Sequence, residues 1–309
     1  MRLAREQNST ARVSVKVRKE DAAFGFEEWS KLIDAAFLIP AGYSFVDDFP
    51  VWDPKNGAEI HRWNLRDNQS TLLSTVSARV AYVQCEQKKI RVVLIGAVAS
   101  LPGHQDQGYA SQCFETAIKW VETKSKADVA ILWGSETKFY SRYGFDLGGE
   151  QCRMQLEQVT APTTEVMGTI EIGWNPAIFD CMTNRSLGIK LGDSDVSWME
   201  SHKNVLWCSL KKNKEIVAYT AIGRGIDLPK IVHEWGGDPE SLKFLLMKIR
   251  EKIPGLSIIG PRSLLQEYGL AVTGQEITKE KLCLFKVLNR SKVPDFEQLR
   301  AWFWGLDGA

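Results

Sequence analysis

The residues best suited to chemistry in this 309-residue chain fall into two short clusters. The first is Gln105-Asp106-Gln107-Gly108-Tyr109-Ala110, followed by Ser111. It joins the apolar run VVLIGAVAS to YASQCFETAIKWVETK. In the second of these, Ala110, Cys113, Phe114, Ala117, Ile118 and Val121 recur at helical spacing. The junction therefore predicts a strand, a glycine turn and a helix. Such a junction can cradle phosphate, because the first N–H groups of a helix lack intrahelical partners and its dipole favours an anion. Gly108 lets backbone approach a ligand without a Cβ, Ala110 keeps the next turn small, and Gln105 and Gln107 can donate hydrogen bonds. A polar helix start with no ligand reads equally well from this string alone. The spacing is neither G-x-G-x-x-G nor a P-loop, but it fits [Q/R]-x-x-G-x-[G/A].

The second cluster is GSETKFYSRYGF, carrying Ser135, Glu136, Tyr140 and Tyr143. A phenol can serve as a general acid and a carboxylate as a base, although tyrosines in Phe-Tyr pairs also commonly pack in cores. Asp47, Asp48 and Glu234 are further candidates for the base, each more often a solvated acid.

The elements that must position these groups repeat. Residues 12–19 alternate as an edge strand, and FEEWSKLIDAAFL is an amphipathic helix. Pro40 to Gly57 forms a long structured loop of the kind that lines sites. STLLSTVSARVAYVQCEQ and IRVVLIGAVAS are strands around a Lys-Lys turn. DVAILWG is a short strand buried on both faces, and EQCRMQLEQV is a strand. VTAPTTEVMG breaks the pattern. Beyond it, VLWCSLKK and EIVAYTAIGRG form a hairpin, and IVHEWGG is a strand. DPESLKFLLMKIREKI is a helix capped by Asp238, with Pro239 at its first position. LSIIG is a short strand, LLQEYGL echoes FYSRYGF, and KLCLFKVLN echoes CRMQLEQV. The expected organisation is residues 1–158, a linker at 159–168, and residues 169–309.

Together, VASLPGHQDQGYAS and FYSRYGF resemble the GNAT superfamily of acetyl-CoA-dependent N-acyltransferases. The specific resemblance covers roughly residues 80–150. It implies an α/β (α+β) fold of two tandem GNAT-like domains, each a mixed, mostly antiparallel sheet with a central V-shaped splay flanked by helices. It further implies that the pantetheine arm of acetyl-CoA, the co-substrate, pairs with Val98 and Ala99. The N–H groups from Gln105 to Ala110, including those of Asp106, Gln107, Gly108 and Tyr109, hold the pyrophosphate with the Ser111 hydroxyl. Ser135 lies beside the cofactor, and Tyr140 stands near the sulfur as general acid. Glu136 is the nearest candidate base. Asp106 departs from the small or basic residue usual in this turn. The run Ser135-Glu136-x-x-Phe139-Tyr140-x-Arg142-Tyr143-Gly144-Phe145 also looks like the tandem GNAT enzymes of the enhanced-intracellular-survival type. Their third domain is not expected in a chain of this length.

The second half lacks the cofactor signature: Gly236-Gly237-Asp238-Pro239 stands at its helix start, and Leu265 stands where Tyr140 does. It is expected to complete an acceptor pocket or an interface, with Asp227, His233, Glu234 and Trp235 available to a cationic acceptor. The expected activity is transfer of acetyl to a primary amine on a small molecule or a protein. A binding module for acyl-CoA with little turnover is the alternative. Net charge is +1, with 44% hydrophobic and 25% charged residues, so nothing points to nucleic acid or a membrane surface. No apolar run reaches the length of a membrane span, and no secretory signal is read, which makes the cytoplasm the expected location. The six cysteines are scattered and form no C-x-x-C pair, and no histidine spacing suggests a metal. Trp302 and Trp304 are left either to pack within the chain or to join a homo-oligomer.

Overall fold

The computed structural model describes residues 15–272 and 274–308. The first half runs β1 (Lys16–Glu20), α1 (Phe26–Ala36), α2 (Phe45–Asp48), β2 (Ile60–Arg66), β3 (Leu72–Cys85), β4 (Lys88–Ser100), α3 (Tyr109–Thr123), β5 (Val129–Leu132), α4 (Thr137–Ser141) and β6 (Asp146–Gln155). The second runs β7 (Thr169–Ile172), α5 (Pro176–Thr183), β8 (Leu187–Ile189), α6 (Val196–Glu200), β9 (Leu206–Lys212), β10 (Glu215–Ile222), β11 (Ile231–Gly237), α7 (Pro239–Lys252), β12 (Ser257–Gly260), α8 (Arg262–Glu267) and β13 (Thr278–Val287). The expected edge strand at 12–19 is β1, its first three positions lying outside the described residues.

Local chemistry explains the elements that hold the site. On α3 the predicted stripe is buried at Cys113, Phe114, Ala117, Ile118 and Val121, while Ala110 at its start is half-buried. It packs with Val93, Ile95, Ala130, Leu132 and Tyr140 in one apolar cluster. On α7, Asp238 caps the start by accepting from Ser241 N at 2.9 Å, with Pro239 next. The Pro40 to Gly57 loop is more ordered than its composition suggests. It contains α2, capped by Ser44, and 3-10 turns at Pro50–Trp52 and Pro54–Asn56.

β2 breaks the polar–apolar alternation. In β2, Arg62 and Asn64 are buried. The Arg62 guanidinium stacks over Trp29 at 3.9 Å and donates to Trp52 O at 2.7 Å. Asn64 accepts from Thr75 Oγ1 at 2.6 Å. Polar groups with such partners can enter a core, and they hide the strand from a hydrophobicity pattern.

The strands join in a single sheet of order β1-β2-β3-β4-β5-β13-β6-β12-β11-β10-β9-β7, with β8 attached to β3. The plan repeats in the two halves. Antiparallel β3–β4 leads through α3 to parallel β4–β5; antiparallel β10–β11 leads through α7 to parallel β11–β12. Each half then sends its last strand into the other. β13 lies between β5 and β6, antiparallel to both, and β6 pairs on its far side with β12. This exchange brings Lys281 and Leu282 of the second half beside the residues that follow β5, where Trp133 Nε1 donates to Leu282 O at 2.9 Å.

The C-terminal aromatics pack within the chain: Trp302, Phe303 and Trp304 are all buried. A buried ion network fixes them. Arg185 bonds Glu234 at 2.8 Å and 2.9 Å and pairs with Asp307, which also accepts from Ile189 N at 2.8 Å and Trp304 N at 3.1 Å. No helix among the described residues is long and apolar enough to cross a membrane.

Candidate active site

The site begins where β4 and β5 part. Their register runs from Val92↔Val129 to Ile95↔Leu132, and β4 continues to Ser100 without a partner on that side among the described residues. Opposite, the β3–β4 register slips between Thr75 and Ser77. Ala97 absorbs the slip in the left-handed region at φ 51. This is a β-bulge, and bulges bend a strand and re-aim its groups. The open edge that results is a place where an extended ligand can add as a strand would. Val98 lines the space beside it. Ala99 is buried, in register with Thr75, and its carbonyl accepts from Ser74 Oγ at 2.7 Å.

The turn leads from β4 to α3. Gly108 stands at the cap position with φ 75 and no side-chain cap, so the N–H groups of the first turn stay available. A Cβ at Gly108 would meet no atom within 4 Å. Gln105, Asp106 and Gln107 are exposed, while Tyr109, Ala110 and Ser111 are half-buried. Asp106 adopts φ 60 and does not cap the helix. The turn residues lie outside the wall of the main cavity, which Gly96, Ala97 and Val98 reach from the strand side.

That cavity measures about 770 Å³ and is shared by both halves. Ser135, Glu136 and Tyr140 line it. Tyr140 is buried by Phe114, Phe139 and Phe145, with centroids at 5.4, 5.0 and 6.5 Å. Its ring also presses on Gly134, where a Cβ would sit 2.9 Å from it. Packing and cavity lining thus coincide in one residue. Burial, and then the nearby Glu136 charge, push the Tyr140 phenol up to about 12. Glu136 itself is exposed at the start of α4. Tyr143 packs on Phe114 at 4.8 Å and donates to Glu115 at 3.3 Å.

Asp48, buried on α2, also lines the cavity. Its Oδ1 accepts from Asn204 at 2.7 Å, and Oδ2 has no donor among the described residues. Desolvation holds its carboxyl above the ordinary range. Gly225, at φ 51, lies so close that a Cβ there would collide with the carboxylate. Neighbouring Arg224 donates to Gly305 O and Asp227 and stacks over Phe49 at 4.1 Å.

Of the other acids, Asp47 turns to Lys203 at 2.7 Å, and Glu234 is locked in the buried Arg185 network. His233 and Trp235 also point inward: His233 Nε2 lies 2.8 Å from Gly223 O, and Trp235 Nε1 donates to Ile259 O at 2.8 Å. Of the four residues considered for a cationic acceptor, only Asp227 reaches the cavity wall. Sequence reasoning missed Ala97, Trp133, Arg224, Lys281 and the Phe303–Gly305 tail, which become wall residues only through the bulge, the exchanged strand and the buried tail anchor.

An open strand edge, a glycine turn onto a helix outside the cavity, and a buried tyrosine on the cavity wall follow one another along the chain, an arrangement that could hold an extended acyl-CoA. Residues 19–148 match the family model described as an acetyltransferase (GNAT) domain. This part of the chain is similar to GNAT acetyltransferase domains, a family whose co-substrate is acetyl-CoA. The described residues have the fold of tandem GNAT proteins. It resembles a protein of Enterococcus faecalis V583 described as conserved, of unknown function and a probable N-acyltransferase (15% identity, TM-score 0.68, 90% of this chain, 74% of that one). It also resembles Eis1 from Mycobacterium abscessus (13%, TM-score 0.58, 89% and 74%). A tandem GNAT protein from the clavulanic acid biosynthesis pathway matches at 9% identity and TM-score 0.50, over 89% and 99%. No curated protein matches the chain by sequence.

Proposed function

We propose that this chain moves the acetyl group of acetyl-CoA directly to a primary amine, with Tyr140 as general acid. One observation carries the reading: the buried Tyr140 phenol, its pKa pushed up to about 12 by lost solvation, lies on the wall of a cavity that the β4–β5 splay also lines. The backbone from Gly96 to Val98, freed by the bulge, supplies polar groups that can bind the pantetheine arm and polarise the thioester carbonyl. The α3 N-terminus, with the Ser111 hydroxyl, holds the pyrophosphate. Tyr140 gives its proton to the departing sulfur. The proposed division is residues 1–158 for the catalytic part, 159–168 for the linker, and 169–309 for a second GNAT-like part that walls the acceptor side and carries no cofactor turn.

Release of free thiol from acetyl-CoA in the presence of amines tests this. Tyr140→Phe should lower kcat about a hundredfold, the low end of what a general acid contributes, with the Kd for acetyl-CoA unchanged. Equal turnover in the variant removes Tyr140 from the chemistry. Acetyl-CoA should also raise the Tm, since a ligand that binds only the native state must stabilise it.

A further inference from the structure

The aromatic part of the cavity wall has a composition that the transferase reading does not by itself require. It is built from Phe37, Ile39, Phe45 and Phe49 on the α1–α2 side and Ile226 and Leu228 from the second half. The aromatic rings form a continuous surface: Phe37 meets Phe45 at 5.6 Å, and Phe45 stacks on Phe49 at 4.6 Å. At the edge, Phe37 and Ile226 are 41% and 44% exposed, so apolar surface continues to the mouth.

Charge is sparse in this region. Arg224 pairs with Asp227, and its charge also acts on Asp48, where desolvation outweighs it. Lys281 turns to Glu297 at 3.1 Å, and Glu136 stands beside Tyr140. This leaves Asp48, a buried carboxylate whose single side-chain donor is the neutral Asn204 amide. A buried carboxylate with one oxygen lacking a donor, on a wall rich in phenyl rings, is costly unless a further cation or a proton arrives. An acceptor with several ammonium groups would bury more positive charge than this wall can balance. One with a single amine on an apolar body would satisfy both surfaces.

We infer that this wall is an acceptor site for one primary amine carried on an apolar or aromatic body, with Asp48 as the carboxylate that receives the amine. The inference rests on the acetyl-transfer reading for its chemistry, though not for its binding selectivity. The ammonium pairs with Asp48 Oδ2 while the body lies on Phe45 and Phe49. Asp48 then takes the ammonium proton, which its desolvated environment favours. The freed lone pair attacks the acetyl carbon, the C–N bond forms as the C–S bond breaks, and the thiolate takes the Tyr140 proton. A second proton leaves the nitrogen to solvent as the amide forms, and Asp48 and the Tyr140 phenolate return to their starting states by exchange with water.

Calorimetric titration in saturating CoA tests the selectivity without turnover, using 2-phenylethylamine and spermidine as probes. Phenylethylamine should bind at least tenfold more tightly than spermidine. Asp48→Asn keeps an acceptor for Asn204 and should weaken phenylethylamine at least tenfold while leaving the Kd for CoA unchanged. Ile226→Ser, at a partly exposed position, should weaken phenylethylamine severalfold. Spermidine binding as tightly as phenylethylamine, or an Asp48→Asn variant that binds like wild type, overturns the inference. The expected binding pattern with no N-acetyl product supports the acceptor site and overturns acetyl transfer. Preferred acetylation of spermidine does the reverse.

Discussion

At the residue scale, Asp48 and Tyr140 show how burial sets a proton's affinity in opposite services. Both groups lose water, which disfavours their charged forms. For Tyr140 the result is an acid that stays loaded. An enzyme depending on it should show no alkaline loss of kcat between pH 9 and 11, where an ordinary phenol with a value of 10.0 would deprotonate. A pH–kcat profile that falls with a midpoint near 10 would contradict this. For Asp48 the result is a carboxylate whose ionisation is a burden on the free protein. Its folded value lies above the ordinary 3.8, so the folded state holds the proton more readily than the unfolded state. Stability is therefore lost as pH rises from 3.8 through the folded value, and the penalty is complete only above that value. Asp48→Asn should raise the Tm at pH 7, by about 2 °C for each kcal/mol in a chain of this size. The gain should vanish below pH 3.8. A residue whose replacement stabilises the fold while weakening ligand binding is held there for function. A lowered Tm at pH 7 would show that the carboxylate is structural.

At the scale of the element, the α3 turn pits one charge against two partners. Asp106 sits at the start of a helix, where a carboxylate gains about 0.3–1 kcal/mol from the dipole. The same carboxylate repels a pyrophosphate bound there. Asn also tolerates the left-handed backbone that Asp106 adopts at φ 60, so Asp106→Asn isolates the charge. The variant should have a slightly lower Tm without ligand and a severalfold lower KM for acetyl-CoA at low salt. The KM difference should shrink at high ionic strength. An unchanged KM at low salt would remove this residue from the cofactor site. The turn and its helix were readable because periodicity and a glycine are properties of adjacent residues. The caps of α7 and the β9–β10 hairpin were readable for the same reason. β2 escaped because Arg62 and Asn64 take buried partners from other elements. The Ala97 bulge escaped because nothing local marks an alanine that adopts φ 51. Asp48 was visible as an acid, but its place on the cavity wall depends on Asn204 and Gly225, far along the chain.

At the scale of the whole molecule, the repeat in the sequence suggests two bodies, and the exchange of final strands ties them together. Residues up to 158 contain β6, but its sheet partners β12 and β13 both come from beyond the linker. The outer edge of β5 is covered by β13, and the cavity wall needs residues from both halves. An isolated first half would leave β6 without either partner strand and expose the β5 edge, a template for aggregation. Separation would therefore remove sheet hydrogen bonds, apolar burial and the site at once. The full chain should unfold in one transition, with calorimetric and van't Hoff enthalpies agreeing, despite being long enough for two domains. Acetyl-CoA should move that whole transition upward, although its proposed contacts lie in the first half. Two resolved transitions, with only one shifted by acetyl-CoA, would show that the exchanged strands do not couple the halves.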